Sequence, residues 1–185
     1  MQAAIVHAQF ELLHPFKDGN GRIGRLLIPL FLFSKDRLSG PIFYLSAYLE
    51  RNRDEYYARL RAISEKGDWT GWAAFFLQAV TEQAQQNSAT LRQIMDLYEV
   101  TRKQVRDITR SPHAPQVVDA LFDRPIFTAA DIALRAEVPK PTVHKLINTL
   151  LEEGVLDTVR PAAGRRPAIL IFAELLNTLE RKQLV

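Results

Sequence analysis

The chain contains no cysteine, so no disulfide framework staples the fold and no thiolate holds zinc or acts as a nucleophile. That composition suits a reducing compartment, and the cytoplasm is the expected location. Long apolar runs are missing too. The longest, Leu26 to Phe33, is interrupted by Pro29 and reaches about half the length a membrane span requires. No cationic segment with a cleavage site opens the chain, so no secretion signal is read. Nor does charge of one sign dominate: 24 Lys and Arg against 21 Asp and Glu leave a net +3. From Pro112 onward there are nine basic and nine acidic residues, so no nucleic-acid reading can rest on overall charge. What remains is 185 residues with 47% hydrophobic content, enough for one large domain or two small ones with a real core.

Against that background one stretch stands out: His14-Pro15-Phe16-Lys17-Asp18-Gly19-Asn20-Gly21-Arg22-Ile23-Gly24-Arg25. It gathers a titratable base, a carboxylate, two guanidinium groups and three glycines, the inventory of a polyphosphate site. The glycines free the backbone for turns in which successive N–H groups converge on an anion at a helix N-terminus. Arg22 and Arg25, three apart, share a helix face and can clamp further phosphate oxygens. His14 is the group in the loop whose ordinary titration range lies near neutrality, which suits a general base. Asp18, the only carboxylate in the loop, is the candidate ligand for a hard divalent ion such as Mg²⁺.

The stretch HPFKDGNGRIGR resembles the signature loop of the Fic family, HPFx(D/E)GNGRxxR, with every fixed position matched. The resemblance implies a protein adenylyltransferase that moves AMP from ATP to a hydroxyl of a Ser, Thr or Tyr on a target protein and releases pyrophosphate. It assigns His14 as base, Asp18 to Mg²⁺, Asn20 and Arg22 to phosphates and Arg25 to the terminal phosphate, with Gly19, Gly21 and Gly24 shaping the nucleotide loop. A branch that phosphorylates its targets carries Lys where this chain has Gly21, which favours AMP transfer. The segment from Ser46 to Leu60 is similar to the region in which the first tyrosine of a pair lies by the nucleotide. Tyr56 inherits that role, with a packed core tyrosine as the alternative. The family's upstream helices and β-hairpin flap have no counterpart here, so the chain is expected to correspond to the C-terminal portion of a longer protein. Catalytic competence therefore does not follow from the loop alone.

Other readings of the same letters fare worse. Gly19-x-Gly21-x-x-Gly24 spells a dinucleotide fingerprint, but that motif must follow a strand. Here it follows Ala3, Val6, Phe10 and Leu13 at helical spacing, an amphipathic helix over residues 2 to 13. The P-loop pattern does not match. After the loop, a deeply buried helix is expected from Ile23 to about Leu38, apolar nearly all round and disturbed at Pro29. Leu45, Leu49, Tyr56, Leu60 and Ile63 mark a third helix. Gly67-Asp68 ends it and caps a fourth, with Trp69, Trp72, Phe76, Ala79 and Val80 inward. A fifth helix runs from Thr90 to Arg110, able to link domains or to pack on a second copy of the chain in a homodimer.

Ser111-Pro112-His113-Ala114-Pro115 reads as a domain boundary, giving a Fic-type part over 1–111, a small domain over 112–175 and a tail or helix end over 176–185. The small domain shows a helix over Gln116 to Phe122 and a second opened by Thr128-Ala129-Ala130-Asp131. A third runs from Thr142 to Glu153, with Val143, Leu146, Ile147 and Leu150 inward. Two strands, Val155 to Val159 and Ile169 to Phe172, flank an arginine-bearing turn. This order resembles the winged helix-turn-helix of bacterial regulators. It implies a DNA reader with Thr142, His144, Lys145 and Asn148 toward the major groove and Arg160, Arg165 and Arg166 on phosphates or the minor groove. A protein-binding or dimerisation module is the alternative. Thr149 to Gly154 also fits the letters of the family's inhibitory motif, but Glu-Gly there is an ordinary helix ending. The expected fold is therefore mainly α: an incomplete Fic-type helical bundle followed by a winged-helix domain with a two-stranded wing. The runner-up to the enzyme is a DNA-binding regulator whose Fic part senses nucleotide or modifies the regulator itself.

Overall fold

The computed structural model describes residues 1–180 of the chain. The fold is mainly α, in two compact units, Met1–Ser88 and the chain from Ala89 onward. The division falls inside a helix, ahead of the proline-bearing segment at Ser111 to Pro115.

In the first unit α1 (Gln2–Leu13), α2 (Asn20–Ser34), α3 (Ser46–Arg51), α4 (Arg53–Lys66) and the start of α5 (Trp69–Thr109) surround an aromatic core. Trp72 is wholly buried, and its Nε1–H donates to the Ala4 carbonyl at 2.9 Å, tying α5 to α1. The inward face of α1 differs from the expected one. Ala3, Ala4, His7 and Ala8 are buried, while Val6 and Leu13 are exposed. Small side chains allow the closest approach of helices, and the polar His7 is admitted because both its ring nitrogens find partners.

Several expected boundaries move. α2 begins at Asn20, three residues before Ile23, because Gly19 at φ 79° turns the chain and its carbonyl accepts from the Ile23 N–H at 3.0 Å. It ends at Ser34, and Leu26, Leu30 and Phe33 stay exposed along one face, so it is not buried all round. The expected third helix is two, broken at Asn52, whose side-chain amide takes the Tyr48 carbonyl at 2.9 Å. Conversely, the expected fourth and fifth helices are one, because residues 82–90 contain no Gly or Pro and are rich in helix formers.

In the second unit α6 (Ala114–Asp123), β1 (Ile126–Phe127), α7 (Ala129–Arg135), α8 (Lys140–Glu152), β2 (Asp157–Arg160), β3 (Ile169–Ile171) and α9 (Ala173–Glu180) follow in order. Val117, Leu121, Ile132, Val143, Leu150, Leu156 and Phe172 form its core together with Leu97 and Val105 of α5. α7 opens with a reciprocal capping box. Asp131 N–H donates to Thr128 Oγ1 at 3.3 Å, and Thr128 N–H donates to Asp131 Oδ2 at 2.8 Å, which holds the Asp131 carboxyl below its usual range. The wing is more than a hairpin: β1, which the sequence does not announce, joins it to give an antiparallel sheet of order β1-β3-β2. Two residues carry too little periodicity to announce a strand; pairing of Phe127 with Leu170 decides it. Of the expected tail, residues 176–180 belong to α9 and residues 181–185 lie outside the described residues.

Candidate functional site

The loop is a bend between two helices packed at close range. α1 ends at His14, which adopts a left-handed conformation (φ 46°, ψ 56°) while its N–H still reaches the Phe10 carbonyl at 3.1 Å. Asn20 then locks the bend from inside. It is 2% exposed, its Oδ1 accepts from the Phe16 N–H at 2.9 Å, and its Nδ2 donates to the Phe16 carbonyl at 2.6 Å. The same side chain thus satisfies both backbone groups of Phe16, and Asn20 serves as a strut of the loop.

Beyond it the N-terminus of α2 has no side-chain cap, so its first N–H groups remain available to an anion. Both arginines fold back over the glycines. The Arg22 guanidinium lies 3.6 Å from the position a β-carbon on Gly19 would take, and Arg25 Nη1 lies 3.3 Å from that on Gly21. Free amides, the positive end of the helix dipole and two guanidinium forks are therefore gathered at one helix start. Asp18 is 95% exposed; its Oδ1 accepts from the Gly19 N–H at 2.6 Å and its Oδ2 lies 3.8 Å from Arg22 Nη2. Among the described residues no group of three or more side chains is arranged to hold a metal ion. One exposed carboxylate fits an ion that arrives already bound to phosphates and keeps most of its water, as Mg²⁺ does.

Gly24 plays a different part from Gly19 and Gly21. A β-carbon there would collide with Glu11 Oε1 and Phe10 of α1, so this glycine is what lets α1 and α2 touch. Its carbonyl accepts a hydrogen bond from His7 Nδ1 at 3.0 Å. Because a carbonyl only accepts, Nδ1 carries the proton and Nε2 is left to accept from the Tyr56 hydroxyl at 3.1 Å. Burial, helped by the charge of Arg25, lowers the His7 pKa to about 4, against the smaller opposing effect of the Gly24 hydrogen bond. Tyr56 is 3% exposed, packed on Trp72 and Phe75, and burial drives its hydroxyl pKa far up. The enclosed ring and the hydroxyl engaged by His7 favour the packed-core alternative for Tyr56, which touches the loop segment through His7.

His7 and Glu11 were not picked out in the sequence, although with His14 they recur at i, i+4 and i+7 on α1. That spacing of polar residues was the available signal. Glu11 Oε1 is buried with no hydrogen-bond partner, and burial raises the carboxyl pKa while Arg25 and His14 pull it back.

A second candidate site lies in the winged unit. Val143, Leu146, Ile147 and Leu150 of α8 are buried, which turns His144, Lys145 and Asn148 outward, with Thr142 half-buried. The wing tip closes through Ala163 and Arg166, whose backbones exchange hydrogen bonds of 3.1 and 3.0 Å across Gly164 (φ 56°) and Arg165. Arg160, Arg165 and Arg166 are all exposed.

Comparison with known proteins agrees with both halves. Residues 1–32 match the Fic/DOC family and residues 116–160 the IclR helix-turn-helix domain. Over 64 residues, 35% of the chain, the sequence is 38% identical to a protein of Aquifex aeolicus named as a probable protein adenylyltransferase, covering 18% of that relative. It is 42% identical over 67 residues, 36% of the chain, to protein adenylyltransferase fic-1 of Caenorhabditis elegans, covering 12% of it. Over 78 residues, 40% of the chain, it is 38% identical to a Fido domain-containing protein of Dictyostelium discoideum, covering 50% of it. The matched region thus spans at most half the length of these relatives. The chain joins a segment that matches the Fic/DOC family, centred on the loop between α1 and α2, to one that matches a helix-turn-helix domain.

Proposed function

We propose that the loop between α1 and α2 binds the triphosphate of ATP and transfers AMP to a hydroxyl of a target protein. The observation that carries this reading is the convergence of Arg22 and Arg25 over Gly19 and Gly21 at the uncapped start of α2. Relatives named as protein adenylyltransferases support it. In the reaction a Ser, Thr or Tyr oxygen attacks the α-phosphorus and His14 accepts its proton. The bond from the α-phosphorus to the bridging oxygen of the β-phosphate breaks, and pyrophosphate departs with that electron pair. The α2 amides, Arg22 and Arg25 hold the charge that builds on the phosphates. Asp18 would hold a Mg²⁺ ion accompanying ATP, which would supply charge neutralisation at the phosphate oxygens.

The test is incubation of the chain and candidate targets with ATP labelled at the α-phosphate. Label on protein that disappears in His14→Ala supports the reading. Label carried equally by both forms, or found only with γ-labelled ATP, defeats it.

A second reading attaches to the winged unit: α8 and the wing bind duplex DNA. The outward set His144, Lys145 and Asn148 beside the arginine-tipped wing favours it. Neutralising about five phosphates gives a salt slope of roughly −4 to −5, and absence of binding at low salt removes it.

A further inference from the structure

One carboxylate beside the loop has no role in the chemistry above. Glu11 sits in the last turn of α1, three residues before His14, and its Oε1 occupies the notch that Gly24 leaves open on α2. That oxygen is shut off from solvent and accepts no hydrogen bond. An isolated acceptor in such a place is costly, and packing alone does not call for it, since a neutral side chain of the same shape fills the notch equally well. The charged and titratable groups around it are few. α1 contributes His7 and His14, α2 contributes Arg25, and α4 contributes Tyr56. His7 stays neutral above about pH 4, and the Tyr56 hydroxyl is bound to it. Arg25 and His14 are therefore the groups that favour the ionised form of Glu11 against its burial.

We infer that Glu11 is a positioning residue of the triphosphate site, whose carboxylate counterbalances Arg25 and His14 across the notch at Gly24 and takes up a proton from solvent when phosphate charge engages Arg25. This rests on the proposed nucleotide site. Phosphate oxygens bring negative charge to the cation that stabilises the carboxylate, so two anions compete for one guanidinium. The buried one yields by becoming a carboxylic acid, which also gives the enclosed group a proton to donate. Nucleotide binding and proton uptake are thereby linked.

Titration calorimetry of the full chain with Mg·ATP at about pH 5.5, just above the ordinary carboxylate range, in two buffers of different protonation enthalpy, counts the protons. Wild-type protein takes up more protons per ATP than Glu11→Gln, and the ¹³C carboxyl signal of Glu11 moves toward its protonated position as ATP is added. Thermal melts show that the glutamine variant is folded, and a purely structural Glu11 leaves the proton count unchanged. Equal proton uptake in the two proteins with ATP bound overturns the role of Glu11 alone. No ATP binding by wild-type protein overturns both this inference and the proposed nucleotide site.

Discussion

His7 donates through Nδ1 to the Gly24 carbonyl at 3.0 Å, one residue before Arg25, and so fastens the N-terminal part of α2 to α1. That bond can be donated by either form of the ring; the bond from the Tyr56 hydroxyl is the one that requires a neutral ring, since Nε2 must keep its lone pair to accept it. The unfolded chain binds a proton on this histidine near pH 6.5, whereas the folded chain does so only near 4. Stability is thus fully present above about 6.5 and declines as pH falls through that window, by about 3 kcal/mol in total. Urea denaturation at pH 7 and pH 4.5 checks this: His7→Gln loses the difference that wild type shows.

Gly24→Ala places a β-carbon where Glu11 Oε1 and the Phe10 ring lie, and costs about 1–3 kcal/mol by forcing α1 from α2. Gly21→Ala meets only the flexible end of Arg25. It keeps its melting temperature but weakens ATP binding, because Arg25 is pushed aside. Calorimetry and thermal melts on the pair separate the two glycines.

Asn20→Ala removes both bonds to Phe16, a loss of about 1–2 kcal/mol. Asn20→Asp keeps the acceptor and loses the donor, so its stability falls between. Hydrogen exchange at the Phe16 amide reads the effect directly, accelerating in the alanine variant and less so in the aspartate one.

Tyr56→Phe separates the packed-core alternative from a nucleotide contact. Losing the hydroxyl that donates to His7 lowers stability by about 1 kcal/mol. ATP affinity stays within about twofold, since the ring is enclosed in the core; a loss of tenfold or more returns Tyr56 to the nucleotide.

For the winged unit, Arg165→Ala combined with Arg166→Ala weakens duplex binding on all sequences and reduces the salt slope by about 2. Asn148→Ala changes sequence preference with little change in slope. A double variant with an unaltered slope excludes the wing from the phosphate backbone.

The loop and the winged unit were legible because their signals are local. A motif of fixed spacing names His14, Asp18 and the two arginines, and α8 announces its inward face through Val143, Leu146, Ile147 and Leu150. Helix limits were less legible, because a polar stretch without Gly or Pro, as in the middle of α5, weakens the periodic signal without ending the helix. The face of α1 was misread for a related reason. Hydrophobicity favoured Val6 and Leu13, yet close packing admits Ala4, His7 and Ala8 instead.

The sequence by itself determined which chemical groups are present, their order along the chain, and the turn that only Gly19 adopts without strain. Tertiary structure decided which of them are shared across helices: that His7 and Tyr56 lie beneath the loop and that Glu11 fills the notch at Gly24. The reason is distance along the chain. A motif is read over a few residues, whereas the hydrogen bond from Tyr56 to His7 joins positions 49 apart, and nothing short of packing the helices brings them together.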